Sequence, residues 1–117
     1  MPTAVANRYA RALADVVGRT GDYHRILKEL EDFRALHRES AEFREVLHTP
    51  AIPLPDRMKV LEAVLARLTT SPVTANFLRV LVANYRMVLL EEIVQAFLRI
   101  AHDRLGIVQV KVLSAGE

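Results

Sequence analysis

The side chains that most often carry chemistry are present here but not arranged for it. Four histidines, His24, His37, His48 and His102, show none of the spacings, HExxH among them, that converge imidazoles on a metal. They read as partly exposed helix residues. Glu91 and Glu92 are adjacent, so on a helix their carboxylates point in different directions. Such a pair favours a helix start through the backbone dipole better than it shares a proton. The four glycines form neither GxxxxGK nor GxGxxG, which leaves no phosphate cradle. The absence of cysteine excludes disulfides and thiolate chemistry. No catalytic, cofactor-binding or metal-ligating residue is therefore assigned, and the chain reads as a non-enzyme.

Composition narrows the classes that remain. A single domain of ordinary size is expected from 117 residues, and a 51% hydrophobic content supplies a core. The pI of about 9.3 suggests nucleic acid, but the formal net charge is only +2. Acidic and basic residues alternate through the chain, as at Lys28-Glu29, Arg38-Glu39, Arg44-Glu45 and Asp103-Arg104. A nucleic-acid footprint needs cations gathered on one face. No run approaches the ~18 apolar residues of a membrane span, so no direct membrane insertion is expected. The opening Met1-Pro2-Thr3 leads straight into helical periodicity without the pattern of a secretory signal, which points to a bacterial, cytosolic chain.

The elements that position these residues are helical. Thr3 caps a first helix that runs to Val17 and stops at Gly18 and Gly21. Asp22 opens a second, with Ile26, Leu27, Leu30, Phe33, Leu36 and His37 at three-to-four spacing, ending near Glu39. Ser40 starts a short third, burying Phe43, Val46 and Leu47. Pro50, Pro53 and Pro55 force an extended connector. A fourth helix follows from Pro55 or Asp56 to Leu68, then a Thr69–Ser71 loop with Pro72 at the first position of a fifth. The fifth runs to about Asn84 and the sixth from about Val88 to Leu105, before Gly106. The fold class is all-α: a six-helix bundle over residues 1–105. Residues 106–117 change period, and the alternation of Val108, Val110 and Val112 predicts the first strand, Ile107–Leu113, of a second, C-terminal domain.

Two of these helices carry more apolar surface than a small bundle uses. At about 100° per residue, the polar positions of the first helix (Asn7, Arg8, Arg11 and Asp15) fill roughly a third of its circumference. The rest divides into two apolar faces. Ala6, Ala10, Leu13 and Val17 make one; Val5, Tyr9, Ala12 and Val16 make the other. The fifth helix repeats the pattern. Leu78, Leu81 and Tyr85 form a core face, and Val73, Phe77 and Val80, flanked by Asn76 and Asn84, form its neighbour. A helix apolar nearly all round is often the central helix of its bundle. Two in so short a chain are hard to centre, because small domains have few fully interior positions. The alternative is a shared outward groove that takes a helix from a partner.

Two segments carry a family resemblance. Ala6-Asn7-Arg8-Tyr9-Ala10-Arg11-Ala12-Leu13 is similar to the start of ATP synthase delta subunits. Phe77-Leu78-Arg79-Val80-Leu81-Val82-Ala83-Asn84-Tyr85-Arg86, followed by Leu89-Leu90-Glu91-Glu92-Ile93, Phe97, Gly106 and the valine-rich close on Ser114-Ala115, resembles the same family. That family often has glycine where Tyr85 stands. The resemblance implies a non-catalytic stator subunit of the rotary proton-translocating ATP synthase, peripheral on the cytoplasmic face of the bacterial inner membrane. It implies that the first and fifth helices hold the N-terminal helix of an alpha subunit, and that the C-terminal domain joins the b subunits of the peripheral stalk. On it, Val5, Tyr9, Ala12 and Val16 would line the grip with Asn76, Phe77, Val80, Ala83 and Asn84. Tyr9 and Phe77 would be anchors, Ala12 and Ala83 close-approach positions, and Asn76 and Asn84 rim hydrogen-bonders. The rival readings are a helical RNA-binding factor of the antitermination type and a domain that self-associates through its apolar helices.

Overall fold

A computed structural model describes residues 3–106, and these form six α-helices with one 3-10 turn and no strand. The expected strand at Ile107–Leu113 lies outside the described residues. The helices are α1 (Ala4–Val17), α2 (Tyr23–Glu39), α3 (Ala41–His48), α4 (Leu54–Leu68), α5 (Pro72–Ala83) and α6 (Leu90–Leu105). The 3-10 turn, Met87–Leu89, takes the place where the sequence begins the sixth helix at Val88.

Local chemistry sets most of the boundaries. The Thr3 hydroxyl accepts from the Ala6 amide at 3.1 Å and so satisfies one free donor of the first turn of α1. Ser40 ends α2, and its hydroxyl caps α3 by accepting from the Phe43 amide at 3.1 Å. Proline occupies the first turns of α4 and α5, where its missing N–H costs nothing. Thr69 closes α4 in the left-handed conformation, at φ 54°.

The longest packed seam joins α1 to α6, which run parallel. At one end the Thr3 amide donates to Glu92 at 2.9 Å; at the other Arg104 donates to Asp15 at 2.9 Å. Between them Ala6, Ala10 and Ala14 of α1 and Ala96 and Ala101 of α6 are fully buried, and their small side chains let the two backbones come close. Leu30, Phe33, Leu61, Leu78, Leu81, Leu90, Ile93 and Phe97 fill the centre. Each such side chain contributes about 1.5–3 kcal/mol by leaving water.

Two sequence expectations are corrected. Tyr85 does not join Leu78 and Leu81 in the core; it is 52% exposed. Helix α5 stops at Ala83, and Tyr85 turns the chain with φ 57°, a left-handed conformation that suits glycine better. Its ring lies over the Arg57 guanidinium, 4.4 Å from centroid to carbon. Val82 and Met87 are buried in its stead. His37 is not partly exposed either. It is 6% exposed, stacked near Phe33 and Phe43, with its Nε2 2.9 Å from Nε2 of the half-buried His48.

Candidate helix-docking groove

The commitments of α1 and α5 to the core determine what they leave outside. Helix α1 spends Ala6, Ala10, Leu13, Ala14 and Val17 on its inner side. Helix α5 spends Thr74, Ala75, Leu78, Leu81 and Val82. The two touch each other much less than α1 touches α6, and a trough opens between them. They run antiparallel along it: the Asn84 amide at the end of α5 donates to the Tyr9 hydroxyl at 3.0 Å, while Val73 near its start lies by Leu13 and Val16.

The trough has a volume of about 400 Å³. Tyr9, Ala12, Leu13 and Val16 of α1 form one wall, and Val73, Asn76, Phe77 and Val80 of α5 the other. Phe77, 9% exposed, makes the floor, whereas Val16 and Val80 stand at 43% and 45% on the lips. A second depression of about 260 Å³, lined by Val5, Arg8, Tyr9, Ala12 and Arg86, continues it toward the start of α1. Tyr9 and Ala12 belong to both, so the two form one channel. Exposed apolar side chains scattered singly carry no message, but a contiguous apolar trough rimmed by polar groups is the usual form of an interaction site.

Of the nine residues read from the sequence as the grip, Tyr9, Ala12, Val16, Asn76, Phe77 and Val80 line the main trough and Val5 lines its continuation. Asn84 reaches it through Tyr9. Ala83 is exposed but lines neither depression. Leu13 and Val73 line the trough as well, outside those nine. Val73 was on the right face, one turn before Phe77. Leu13 borders both apolar faces of α1 and serves each.

The α5 wall is held by residues far apart in the chain. Glu29 of α2 accepts from the Ser71 amide at 3.1 Å, the Ser71 hydroxyl at 2.7 Å and the Thr74 hydroxyl at 2.6 Å. A carboxylate from another helix thus caps α5. Burial pushes the Glu29 pKa up, but the hydrogen bonds from Thr74 and Ser71 and the charge of Arg25 outweigh that, and the group titrates below its ordinary value. Ser71 is followed three residues later by Thr74, not the Glu or Gln that completes a capping box, so no local carboxylate serves this helix start. The outer rim is closed by Arg79, which donates to Glu62 at 2.6 and 2.9 Å and to Asn76 at 2.6 Å.

At the other end of α5, Arg57 is fully buried. Its Nε donates to the Ile52 carbonyl at 3.0 Å and its Nη1 to the Val82 carbonyl at 3.1 Å, so it ties the proline-rich connector to the last turn of α5.

Among the described residues, no group of three or more His, Asp or Glu is placed to hold a metal, and no single helix is long and apolar enough to cross a membrane. Arg25, Lys28, Arg34, Arg38, Arg79 and Arg104 each pair with a carboxylate.

Comparison with known sequences shows the family. Residues 5–117 match the family described as ATP synthase delta (OSCP) subunit. The ATP synthase subunit delta of Magnetococcus marinus is 36% identical over 110 residues, which cover 94% of this chain and 60% of that protein. That of Acidobacterium capsulatum is 37% identical over 113 residues, covering 96% and 63%. That of Methylobacterium nodulans is 34% identical over 108 residues, covering 92% and 57%. The chain thus spans about six-tenths of the length of the curated relatives it matches.

Proposed function

The chain belongs to the ATP synthase delta (OSCP) subunit family, and from that premise we propose that its α1–α5 trough grips the N-terminal helix of an alpha subunit. The observation that carries this reading is the trough itself. It opens between the two helices whose sequences hold more apolar surface than the bundle consumes, and the surplus side chains line it. An amphipathic helix laid there would cover Val16 and Val80 and seat against Phe77, the helix-in-groove mode of recognition.

On this reading the molecule is a mechanical joint and not a catalyst. The rotor of a rotary ATP synthase exerts torque on the catalytic head, and a head free to turn would dissipate the proton gradient. A stator therefore needs a contact that dissociates slowly, and burial of a well-packed apolar face meets that need mainly through the off-rate. Residues 1–105 would be the head-binding domain, with residues 106–117 opening the domain that joins the b subunits, in a peripheral complex on the cytoplasmic face of the inner membrane. Val5, Tyr9, Ala12, Val16, Asn76, Phe77, Val80 and Asn84 would contact the guest helix, Ala83 at its margin. The RNA-binding reading is not favoured, since acidic residues lie among the basic ones along the chain and six of the cations are ion-paired to neighbouring carboxylates.

The test is Ala12→Asp. Ala12 is exposed and lies on the trough wall, so the bundle should fold with an unchanged melting temperature. A charge buried without a partner under a guest helix costs several kcal/mol, and about 1.4 kcal/mol is tenfold in affinity. Calorimetric titration with a peptide of the alpha N-terminal segment should then lose at least ~100-fold in affinity. Unchanged affinity would remove the trough from the assembly.

A further inference from the structure

The continuation of the trough past Tyr9 differs from the rest in charge. Arg8, in the second turn of α1, and Arg86, just beyond the left-handed Tyr85, both line it with Val5 and Ala12. Neither guanidinium forms an ion pair or hydrogen bond among the described residues, although most other arginines do. The polar groups along the main trough are already engaged: Asn76 by Arg79, Arg79 by Glu62, and Asn84 by Tyr9. At the far end Arg25 is paired with Glu29. The channel is thus cationic at one end and neutral along the remainder.

An apolar trough holds a helix without fixing where it sits. Sliding a guest by one turn, about 5.4 Å, exchanges one set of alkyl contacts for a similar set. Register and direction need a group that is satisfied in one placement and stranded in the others, and opposite charge at one end supplies it. We infer that Arg8 and Arg86 form an acid-reading clamp, and that the helix held in the trough carries a carboxylate at the end seated between them. The inference rests on the reading of the trough as the seat of the alpha N-terminal helix, and adds which end of that helix lies where. A guest with a basic or amidated end loses the clamp and binds in mixed registers.

The experiment uses the full chain, a synthetic peptide of the first ~25 residues of the alpha subunit from the same organism, enough for a helix of trough length, and a second peptide with its Asp and Glu replaced by Asn and Gln. Arg8→Gln/Arg86→Gln folds normally, because neither side chain has a partner to lose. At low salt the double variant should bind the native peptide roughly tenfold more weakly, and the amidated peptide should lose a similar factor against the unaltered chain. The two losses should not add when variant and amidated peptide are combined, and both should shrink as salt rises and the Debye length contracts. A paramagnetic label at the peptide's acidic end should broaden the resonances of Val5 and Ala12 before those of Val73. Additive losses, or binding by the unaltered chain that ignores both substitutions, overturn the clamp and leave the trough reading standing. A native peptide that does not bind the unaltered chain at all overturns both.

Discussion

Glu29→Ala should loosen the α5 wall from a distance. Its carboxylate receives three hydrogen bonds, at 3.1, 2.7 and 2.6 Å, from two residues in the first turn of α5. Thr74 is fully buried and Ser71 nearly so, and water reaches their donors poorly once the acceptor is gone. A hydrogen bond to a charged group contributes about 1.5–3 kcal/mol net, and such bonds sharing one acceptor do not add. The carboxylate also opposes the positive end of the helix dipole, which adds about 0.3–1 kcal/mol. A loss of about 3 kcal/mol is the expected total, and at roughly 4–8 °C per kcal/mol for a domain near this size the melting temperature should fall by about 12–24 °C.

Glu29→Gln separates the charge from the shape. It keeps one acceptor oxygen and should cost about half as much. Combining Glu29→Ala with Thr74→Val should recover a coupling of about 1–2 kcal/mol. The carboxylate is held below its ordinary pKa of 4.5, so its contribution is complete above that value and fades as pH falls through the folded pKa. Thermal melts followed by circular dichroism at pH 7 and pH 3.5 should therefore show the substitution costing less in acid. A fall of under ~4 °C at pH 7, where 1 kcal/mol alone should give about that much, would refute the account and leave the cap decorative. The same variant should bind the alpha peptide less tightly, since Val73 and Asn76 lie in the turns that Glu29 anchors.

Two further predictions concern buried polar groups away from the trough. Burial first, then the charges of His48 and Arg44, hold His37 down to about 4 despite the opposing pull of Glu91. The folded state thus binds fewer protons than the unfolded one, so stability is complete above the unfolded pKa of 6.5 and is lost as pH falls from there toward 4. Unfolding free energies from urea titrations at pH 7.5 and 5.0 should differ in that direction, by up to about 2 kcal/mol, and His37→Phe should flatten the dependence; a stability that rises on acidification contradicts it. Arg57→Lys should cost about 2–3 kcal/mol, because one ammonium cannot replace a fork that serves the Ile52 and Val82 carbonyls at once. Arg57→Met, which removes the buried charge along with its bonds, should cost less by the same denaturation measurement, and the reverse order would show that Arg57 acts chiefly through its charge.

How much of this was legible in the sequence depended on the range of the interaction. Helix ends were readable because caps, prolines and glycines act within a few residues, as Thr3, Ser40 and Pro72 do. The inner faces were readable because periodicity is local too. Tyr85 was misplaced since carrying the period of α5 past Asn84 keeps it in phase with Leu78 and Leu81; only the family's frequent glycine at this position pointed to the left-handed conformation found there. Glu29, Arg57 and the His37–His48 pair were beyond reach. Each unites elements separated by eleven or more residues, and no spacing rule connects them.

The trough is the instructive exception, a tertiary feature foreseen from local pattern. It was visible because the signal was an imbalance between two quantities that the sequence does contain. A helix in a small bundle needs one apolar stripe, and α1 and α5 each carry a second. Leaving such a contiguous apolar surface in water is costly. The cover could have come from a third helix packed over both, and among the described residues none is there: α1 packs chiefly on α6, α5 chiefly on α4, and the space between them stays open. Periodicity could not say which of the two solutions the fold would take. The alanines Ala6, Ala10 and Ala14 let α6 pack tightly onto one side of α1, and the other apolar side is left facing α5 across the open trough.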